Sequence, residues 1–125
     1  MFTLRIKDNF SAAHFLPKYP YECKRMHGHN YVVEVFVSGN KLNSQYMLID
    51  FKVLKKLVKH ILEDYDHFLL NDLDEFKDFP PTAEIISKNI FKKIKKELSK
   101  VSDSCFLTKI RIWESENSYV EFYEE

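Results

Sequence analysis

The hydrophobic period changes twice along this chain, and that order constrains the fold more than any single motif. Phe2, Leu4 and Ile6 alternate with Thr3, Arg5 and Lys7, a period of two that fits a half-buried strand. The alternation can be followed through Phe10 to His14. Pro17 and Pro20 then mark a loop. Over residues 27–37 the chain reads HGHNYVVEVFV, rich in β-branched and aromatic residues, which gives a second strand ended by Ser38-Gly39-Asn40. The period then lengthens. Phe51, Leu54, Val58, Ile61 and Leu62 recur at helical spacing behind Asp50, a good N-cap, with Lys52, Lys55, Lys56 and Lys59 facing out. Residues 71–81 read as an acidic loop. Thr82, directly after Pro80-Pro81, is a second N-cap candidate. Ile85, Ile86, Ile90, Ile94 and Leu98 make the apolar face of a second helix, opposite Lys92, Lys93, Lys95 and Lys96 as a solvated face. Residues 107–113 and 119–123 return to strand, with a turn at 115–118.

The order is therefore ββααββ in one domain spanning 1–125: an α+β fold with a four-stranded, largely antiparallel sheet and two helices on one face. Such a sheet has two edges, so association into a homo-oligomer through them is expected. Composition supports a packed core: 45% of the 125 residues are apolar and 15% aromatic, which excludes disorder. With 19 basic against 19 acidic residues, the chain lacks the basic excess of a sequence-independent nucleic-acid binder. No stretch reaches the ~18 apolar residues of a membrane span, and residues 1–10 lack a signal-peptide core. Two cysteines, Cys23 and Cys105, are too few for a disulfide framework, so the cytoplasm is the expected compartment.

Three of the five histidines fall between residues 14 and 29. His27-Gly28-His29 puts two imidazoles two residues apart, on the same face of a strand, where both rings can converge on one ion. Gly28 brings no side chain to crowd them. His14 ends the preceding strand, which can lie alongside. Three imidazoles suit Zn²⁺ and leave a fourth position open, as in catalytic rather than structural zinc sites. The residues alone leave the alternative of chance, or of ordinary polar core histidines. A zinc finger is excluded, because no CxxC pair exists.

Other candidates surround this cluster. Cys23, four residues before His27 and next to Lys24 and Arg25, would have a depressed pKa beside a dication and could act as base or nucleophile. Cys105 reads as core, and His60 as a surface residue of the first helix. Asp66-His67 is a pair in which the carboxylate can orient the ring for proton transfer. Glu114 continues the apolar face of Ile110 and Ile112, so it either meets solvent at a rim or pairs with a ligand. Glu84 sits in the first turn of the second helix, where the dipole welcomes it.

Taken together, these segments resemble the 6-pyruvoyl-tetrahydropterin synthase / 6-carboxy-tetrahydropterin synthase family, the tunnelling-fold pterin enzymes. The resemblance rests on Phe10-Ser11-Ala12-Ala13-His14, Cys23-x3-His27-Gly28-His29-Asn30-Tyr31, Leu48-Ile49-Asp50-Phe51, Asp66-His67-x2-Leu70-Asn71, Pro81-Thr82-Ala83-Glu84 and Trp113-Glu114-Ser115. It covers nearly the whole chain. One departure is Ser115, where many relatives carry Thr.

The resemblance implies a subunit whose sheets join into a trimeric barrel, with two trimers stacked as a hexamer. It implies Zn²⁺ on His14, His27 and His29, and Cys23 as the proton-abstracting base with Asp66 and His67 completing the relay. Glu114 would grip the donor edge of a pterin, with Thr82 and Glu84 adding pocket contacts in a site shared between subunits. The implied substrate is 7,8-dihydroneopterin triphosphate, with Lys24 and Arg25 candidates for its phosphates by charge and position. The Cys-x3-His spacing is similar to the 6-carboxy-tetrahydropterin synthases of queuosine and deazapurine biosynthesis. The pyruvoyl-forming branch is the alternative, as is the folate branch, which uses Glu in place of Cys and finds Glu22 here. The non-enzyme alternative is a zinc-stabilised oligomeric binding module with a closed metal site.

Overall fold

The computed structural model describes residues 1–18 and 25–125. Four strands form one sheet in the order β1-β2-β3-β4, and every neighbouring pair is antiparallel. The strands are β1 (Phe2–His14), β2 (His27–Gly39), β3 (Phe106–Ser115) and β4 (Ser118–Phe122). Two helices, α1 (Phe51–Leu62) and α2 (Ala83–Val101), pack on one face, α1 over β1 and α2 over β3 and β4. The period changes in the sequence thus map onto the elements in order. Among the described residues no helix is long and apolar enough to cross a membrane.

Both expected caps are made. Asp50 Oδ1 accepts from the backbone N–H of Lys52 at 2.8 Å, and Thr82 Oγ1 from that of Ile85 at 3.2 Å. Each such cap contributes about 1 kcal/mol by satisfying an otherwise orphaned donor. α1 buries Leu54, Val58, Ile61 and Leu62, while Phe51, in line with them by spacing, is exposed in the first turn. α2 buries Ile86, Ile90, Ile94 and Leu98, and adds Phe91, which stands outside the isoleucine row. Residues 71–81 are more ordered than an acidic loop: two 3₁₀ turns, Leu70–Asp72 and Asp74–Phe76, run through them. Glu75 on the second turn takes hydrogen bonds from Tyr65 Oη, Asn89 and Lys93, all between 2.7 and 2.9 Å, and so ties this segment to α2.

The sheet's two faces follow from its period of two. Ile6, Phe10, Ala12 and His14 of β1 and Tyr31, Val33, Val35 and Val37 of β2 point under the helices and are buried. Ile110 and Ile112 of β3 join them. Phe10 stacks on Tyr31 at 4.8 Å between ring centroids, and Tyr65 closes on Phe10 at 5.7 Å. Gly39 ends β2 where only a glycine fits: a Cβ there would lie 2.6 Å from both Leu48 Cδ1 and the Ser104 carbonyl oxygen. Cys105 packs partly buried against the core, and His60 is exposed on α1, as their sequence contexts indicated.

Candidate metal centre

The inward row of the sheet changes character at one end, where it becomes polar. The β1–β2 register sets His14 opposite His27 and Ala12 opposite His29. By alternation all three histidines lie on the row that carries Phe10 and Tyr31. His14 is 1% exposed. An imidazole buried this deeply must have partners, since an unmet polar group costs about 1–3 kcal/mol.

The partners fix the tautomers. His14 Nδ1 lies 2.8 Å from the Pro81 carbonyl oxygen, and His27 Nδ1 lies 2.8 Å from that of Arg25. A carbonyl only accepts, so both Nδ1 atoms carry the proton. In a neutral ring the Nε2 atom then holds a lone pair. These two Nε2 atoms face each other at 2.9 Å. Two lone pairs at that separation repel unless a cation lies between their directions. Backbone carbonyls holding the far nitrogen are how metal-binding histidines are oriented.

His29 supplies the third nitrogen. Its Nε2 is shielded from solvent and makes no hydrogen bond, although Glu114 Oε1 is only 3.1 Å away. The distance is short, but the geometry is not that of a hydrogen bond. Glu114 Oε1 is also 3.8 Å from His14 Nε2. One ligand atom from each of His14, His27, His29 and Glu114 lies within 4.8 Å of all the others. A tetrahedral site with bonds of ~2.0–2.2 Å separates its ligands by about 3.3–3.6 Å, so these four atoms close around a single ion after small shifts. Burial holds His14 and His29 below the ordinary value of 6.5, against the opposing pull of Glu114. The rings are therefore neutral at pH 7, as ligation requires.

Glu114 reaches this point through a backbone irregularity. The β3–β4 register pairs Trp113 with Tyr119 and then Ser115 with Ser118, so Glu114 is left between the two pairings. Such bulges re-aim side chains. The sequence showed Glu114 on the face of Ile110 and Ile112. It gave no sign of the register shift, which is a property of the pairing between two strands.

Asp66 and His67 form a separate pair at the edge of β1. His67 Nδ1 sits 3.0 Å from Asp66 Oδ2. The Ser11 N–H donates to Asp66 Oδ1 at 2.9 Å, and the His67 N–H donates to the Ser11 carbonyl at 2.6 Å. The Ser11 N–H holds the Asp66 carboxyl below the usual range. His67 has φ 65, the left-handed region that costs a non-glycine residue about 1–3 kcal/mol. Its side chain is 81% exposed, with Nε2 free to face solvent. The pair is not part of the four-atom cluster.

Two shallow recesses flank the cluster, and His29 lines both. One, of about 400 Å³, is lined by Ser11, Ala13, Gly28, Asn30 and His67; the other, of about 340 Å³, by Glu84, Glu114, Ser115 and Tyr119. Glu84 thus lines the second recess together with Glu114. Thr82 is occupied as the α2 cap. Cys23, Glu22 and Lys24 lie outside the described residues. Gly28 requires a correction: by alternation it points away from His27 and His29, and an added Cβ would meet only the Ala12 carbonyl at 3.9 Å, so it does not relieve crowding in the cluster.

The supports of the cluster carry little signal in the sequence. Pro81 fixes His14 through a carbonyl, and every residue type offers a carbonyl. Asn71 clamps the exit of β1, accepting from Phe15 N–H and donating to Phe15 O, both at 3.0 Å. Its only sequence signal was its place in the Asp66-His67-x2-Leu70-Asn71 segment.

The fold and site together define an α+β protein with a three-histidine, one-carboxylate cluster ready for a metal ion. The family model described as 6-pyruvoyl tetrahydropterin synthase matches residues 3–125, and the chain belongs to that family. It is 35% identical over 123 residues to a 6-carboxy-5,6,7,8-tetrahydropterin synthase of Bacillus subtilis, a match covering 94% of this chain and 82% of the relative. A putative 6-carboxy-5,6,7,8-tetrahydropterin synthase of Archaeoglobus fulgidus is also 35% identical, over 93% of this chain and 90% of the relative. Among solved structures, the 6-pyruvoyl tetrahydropterin synthase of Caenorhabditis elegans superposes with a TM-score of 0.88 at 29% identity, covering 99% of this chain and 96% of that one.

Proposed function

We propose that this chain is a zinc-dependent 6-carboxy-5,6,7,8-tetrahydropterin synthase. It would convert 7,8-dihydroneopterin triphosphate and water to 6-carboxytetrahydropterin, with release of acetaldehyde and triphosphate, as a cytoplasmic carbon–carbon lyase of queuosine and deazapurine biosynthesis. The observation that carries the metal part is the facing pair of Nε2 lone pairs on His14 and His27, with His29 and Glu114 beside them. The names of the relatives and the Cys-x3-His spacing favour the carboxy branch.

In this reading His14, His27 and His29 hold the ion, and Pro81 and Arg25 keep two of the rings in the ligating tautomer. A metal ion held there would supply polarisation of the substrate's side-chain oxygens. Cys23, as thiolate, takes a carbon-bound proton. His67 moves a second proton at Nε2, while Asp66 holds its Nδ1 and stabilises the charged ring. Glu114 accepts from the adjacent N–H donors of the pterin edge, a charge-assisted bidentate contact. Glu84 lines the same recess, and the Thr82 hydroxyl, which accepts from the helix, keeps its own proton to donate. The exposed Asp66–His67 pair fits a site shared between subunits. Residues 1–125 would act as one domain of a homo-oligomer, a dimer of trimers.

One observation favours a second reading. A carboxylate at the fourth corner of the cluster is what a closed, structural zinc site would have, as in a zinc-stabilised binding module. Incubation of the zinc-loaded protein with 7,8-dihydroneopterin triphosphate, followed by mass analysis of the pterin, separates them. The carboxylated pterin with an equivalent of acetaldehyde is expected. Unchanged substrate favours the module; a three-carbon pyruvoyl side chain moves the protein to the other branch; a shortened side chain without carboxylation moves it to the folate branch and to Glu22.

A further inference from the structure

We infer that the Tyr31 hydroxyl is a hydrogen-bond donor reserved for the metal site: it donates to the oxygen ligand that an ion takes beside the three histidines, water in the resting protein and a substrate hydroxyl during turnover. The substrate half rests on the proposed function; the resting half rests only on the histidine cluster.

Among the described residues, two shielded side-chain polar atoms make no hydrogen bond: His29 Nε2 and Tyr31 Oη. Buried polar groups are almost always paired, so each exception calls for a reason. These two belong to neighbours. Tyr31 follows His29 by two residues on the inward row of β2, and their ring centroids lie 5.5 Å apart. One orphan is a ring nitrogen of the cluster; the other is a phenol with one proton to donate.

Tyr31 stands where the apolar core meets the cluster. Phe10 stacks on it at 4.8 Å, and the His14 imidazole approaches at 5.9 Å with an interplanar angle of 87°. Ala12 lies opposite His29, between Phe10 and His14 on the inward row of β1, and brings only a methyl into the space these rings border. Tyr31 is 0% exposed, so bulk water does not serve its hydroxyl. Burial pushes the phenol up, and so does the charge of Glu114, which accepts no hydrogen bond from it.

Tyr65 shows how this fold treats a buried hydroxyl that it uses itself. Also 0% exposed, Tyr65 donates to Glu75 Oε2 at 2.9 Å and accepts from Lys93 Nζ at 2.7 Å. Tyr31 has no such pair. A phenylalanine would fill the same space without an orphaned donor, so the Tyr31 hydroxyl weakens the metal-free fold. An ion on His29 Nε2 with one oxygen ligand satisfies both orphans together, the nitrogen through the ion and the hydroxyl through the oxygen.

Tyr31→Phe and Tyr65→Phe each remove one oxygen, and both are compared with the parent, free of metal and loaded with zinc. Free of metal, Tyr31→Phe should melt at or above the parent, while Tyr65→Phe should melt about 3–8 °C lower. Zinc affinity, read against a chelator, should fall about tenfold in Tyr31→Phe, the lower end of the loss when a group bonded to a metal's ligand is removed. In Tyr65→Phe it should stay within about twofold of the parent. A merely structural hydroxyl would give Tyr31→Phe the pattern expected of Tyr65→Phe, and that result overturns the inference. Zinc affinity equal to the parent's overturns it whatever the melting temperature does.

At saturating zinc, Tyr31→Phe should also lower kcat on dihydroneopterin triphosphate by about tenfold, the worth of one hydrogen bond to a charged partner; an unchanged kcat overturns the substrate half. If the parent holds zinc yet leaves that substrate untouched, the proposed function fails, and the zinc comparison still decides the resting half. A parent that holds no zinc overturns both halves.

Discussion

Two polar clusters sit on opposite faces of the same sheet, and they differ in whether their charges are already matched. On the open face Glu34, 7% exposed, takes hydrogen bonds from Trp113 Nε1 at 2.6 Å, Arg5 at 3.1 Å and Arg111 at 3.3 Å. Arg111 and Lys109 meet Glu121 at 2.7–3.1 Å. Acceptors face donors throughout. On the helix face the Nε2 lone pairs of His14 and His27 face each other, and His29 Nε2 and Glu114 Oε1 lie 3.1 Å apart without a hydrogen bond. Both groups are shielded and both are held by β2 and β3. Only the second is incomplete as a protein structure, and incompleteness of that kind marks a binding site rather than a fold-stabilising one.

His14 should separate the two faces most clearly. His14→Ala should reduce metal affinity more than 100-fold, while Arg111→Met on the other face leaves it within about threefold; chelator competition reads both. A variant of the open face that loses the ion as readily would abolish the distinction.

Cys23→Ala and His67→Ala should each lower turnover by about 10²–10⁴-fold, the usual loss for a missing acid or base, with the metal retained. His67→Gly should be as inactive. Its stability should stay within about 1 kcal/mol of the parent, because glycine relieves the left-handed strain at φ 65 and adds a similar entropic cost. Full activity in either of the first two variants removes that residue from the proton relay.

Smaller effects are expected on the matched cluster. Glu34→Gln removes the charge that three donors share, and should cost about 1–3 kcal/mol in urea unfolding with metal content unchanged.

The two faces should also titrate separately in the metal-free protein. Burial, against Glu114 and the Pro81 carbonyl, keeps His14 below 6.5, and burial against Glu114 keeps His29 there too. The folded state then binds fewer protons than the unfolded one, so this contribution is present above pH 6.5 and is lost as pH falls through the lowered values. Burial pushes Glu34 up, but the Trp113 indole and Arg111, with Arg5, hold it below its ordinary 4.5, and hydrogen bonds from Arg111 and Lys109 do the same for Glu121. That contribution persists to pH 4.5 and is lost only below it. Melting curves across pH 3–8 should show two declines, and Glu34→Gln should blunt the lower one alone.

Much of this was legible in the chain because period and residue type carry it. The change from two to 3.6 and back marks the four strands and two α-helices of the described residues, and Asp50 and Thr82 mark the starts of both α-helices to the residue. His27 and His29 were readable as a pair because alternation on a strand is fixed by geometry. Phe51 fits the helical period yet is exposed, because the first turn of a helix need not face the core. The carbonyls of Pro81 and Arg25, and the register shift that aims Glu114, were not readable, since they depend on pairings between segments far apart in sequence.

Metal stoichiometry tests the central claim most directly. Purified protein supplied with zinc and then dialysed against buffer should retain one ion per chain by elemental analysis. The His27→Ala/His29→Ala double variant should retain none while keeping its far-ultraviolet circular dichroism, and Arg111→Met should retain the full equivalent. Zinc held at full occupancy by the double variant, or absent from the parent, would contradict the account.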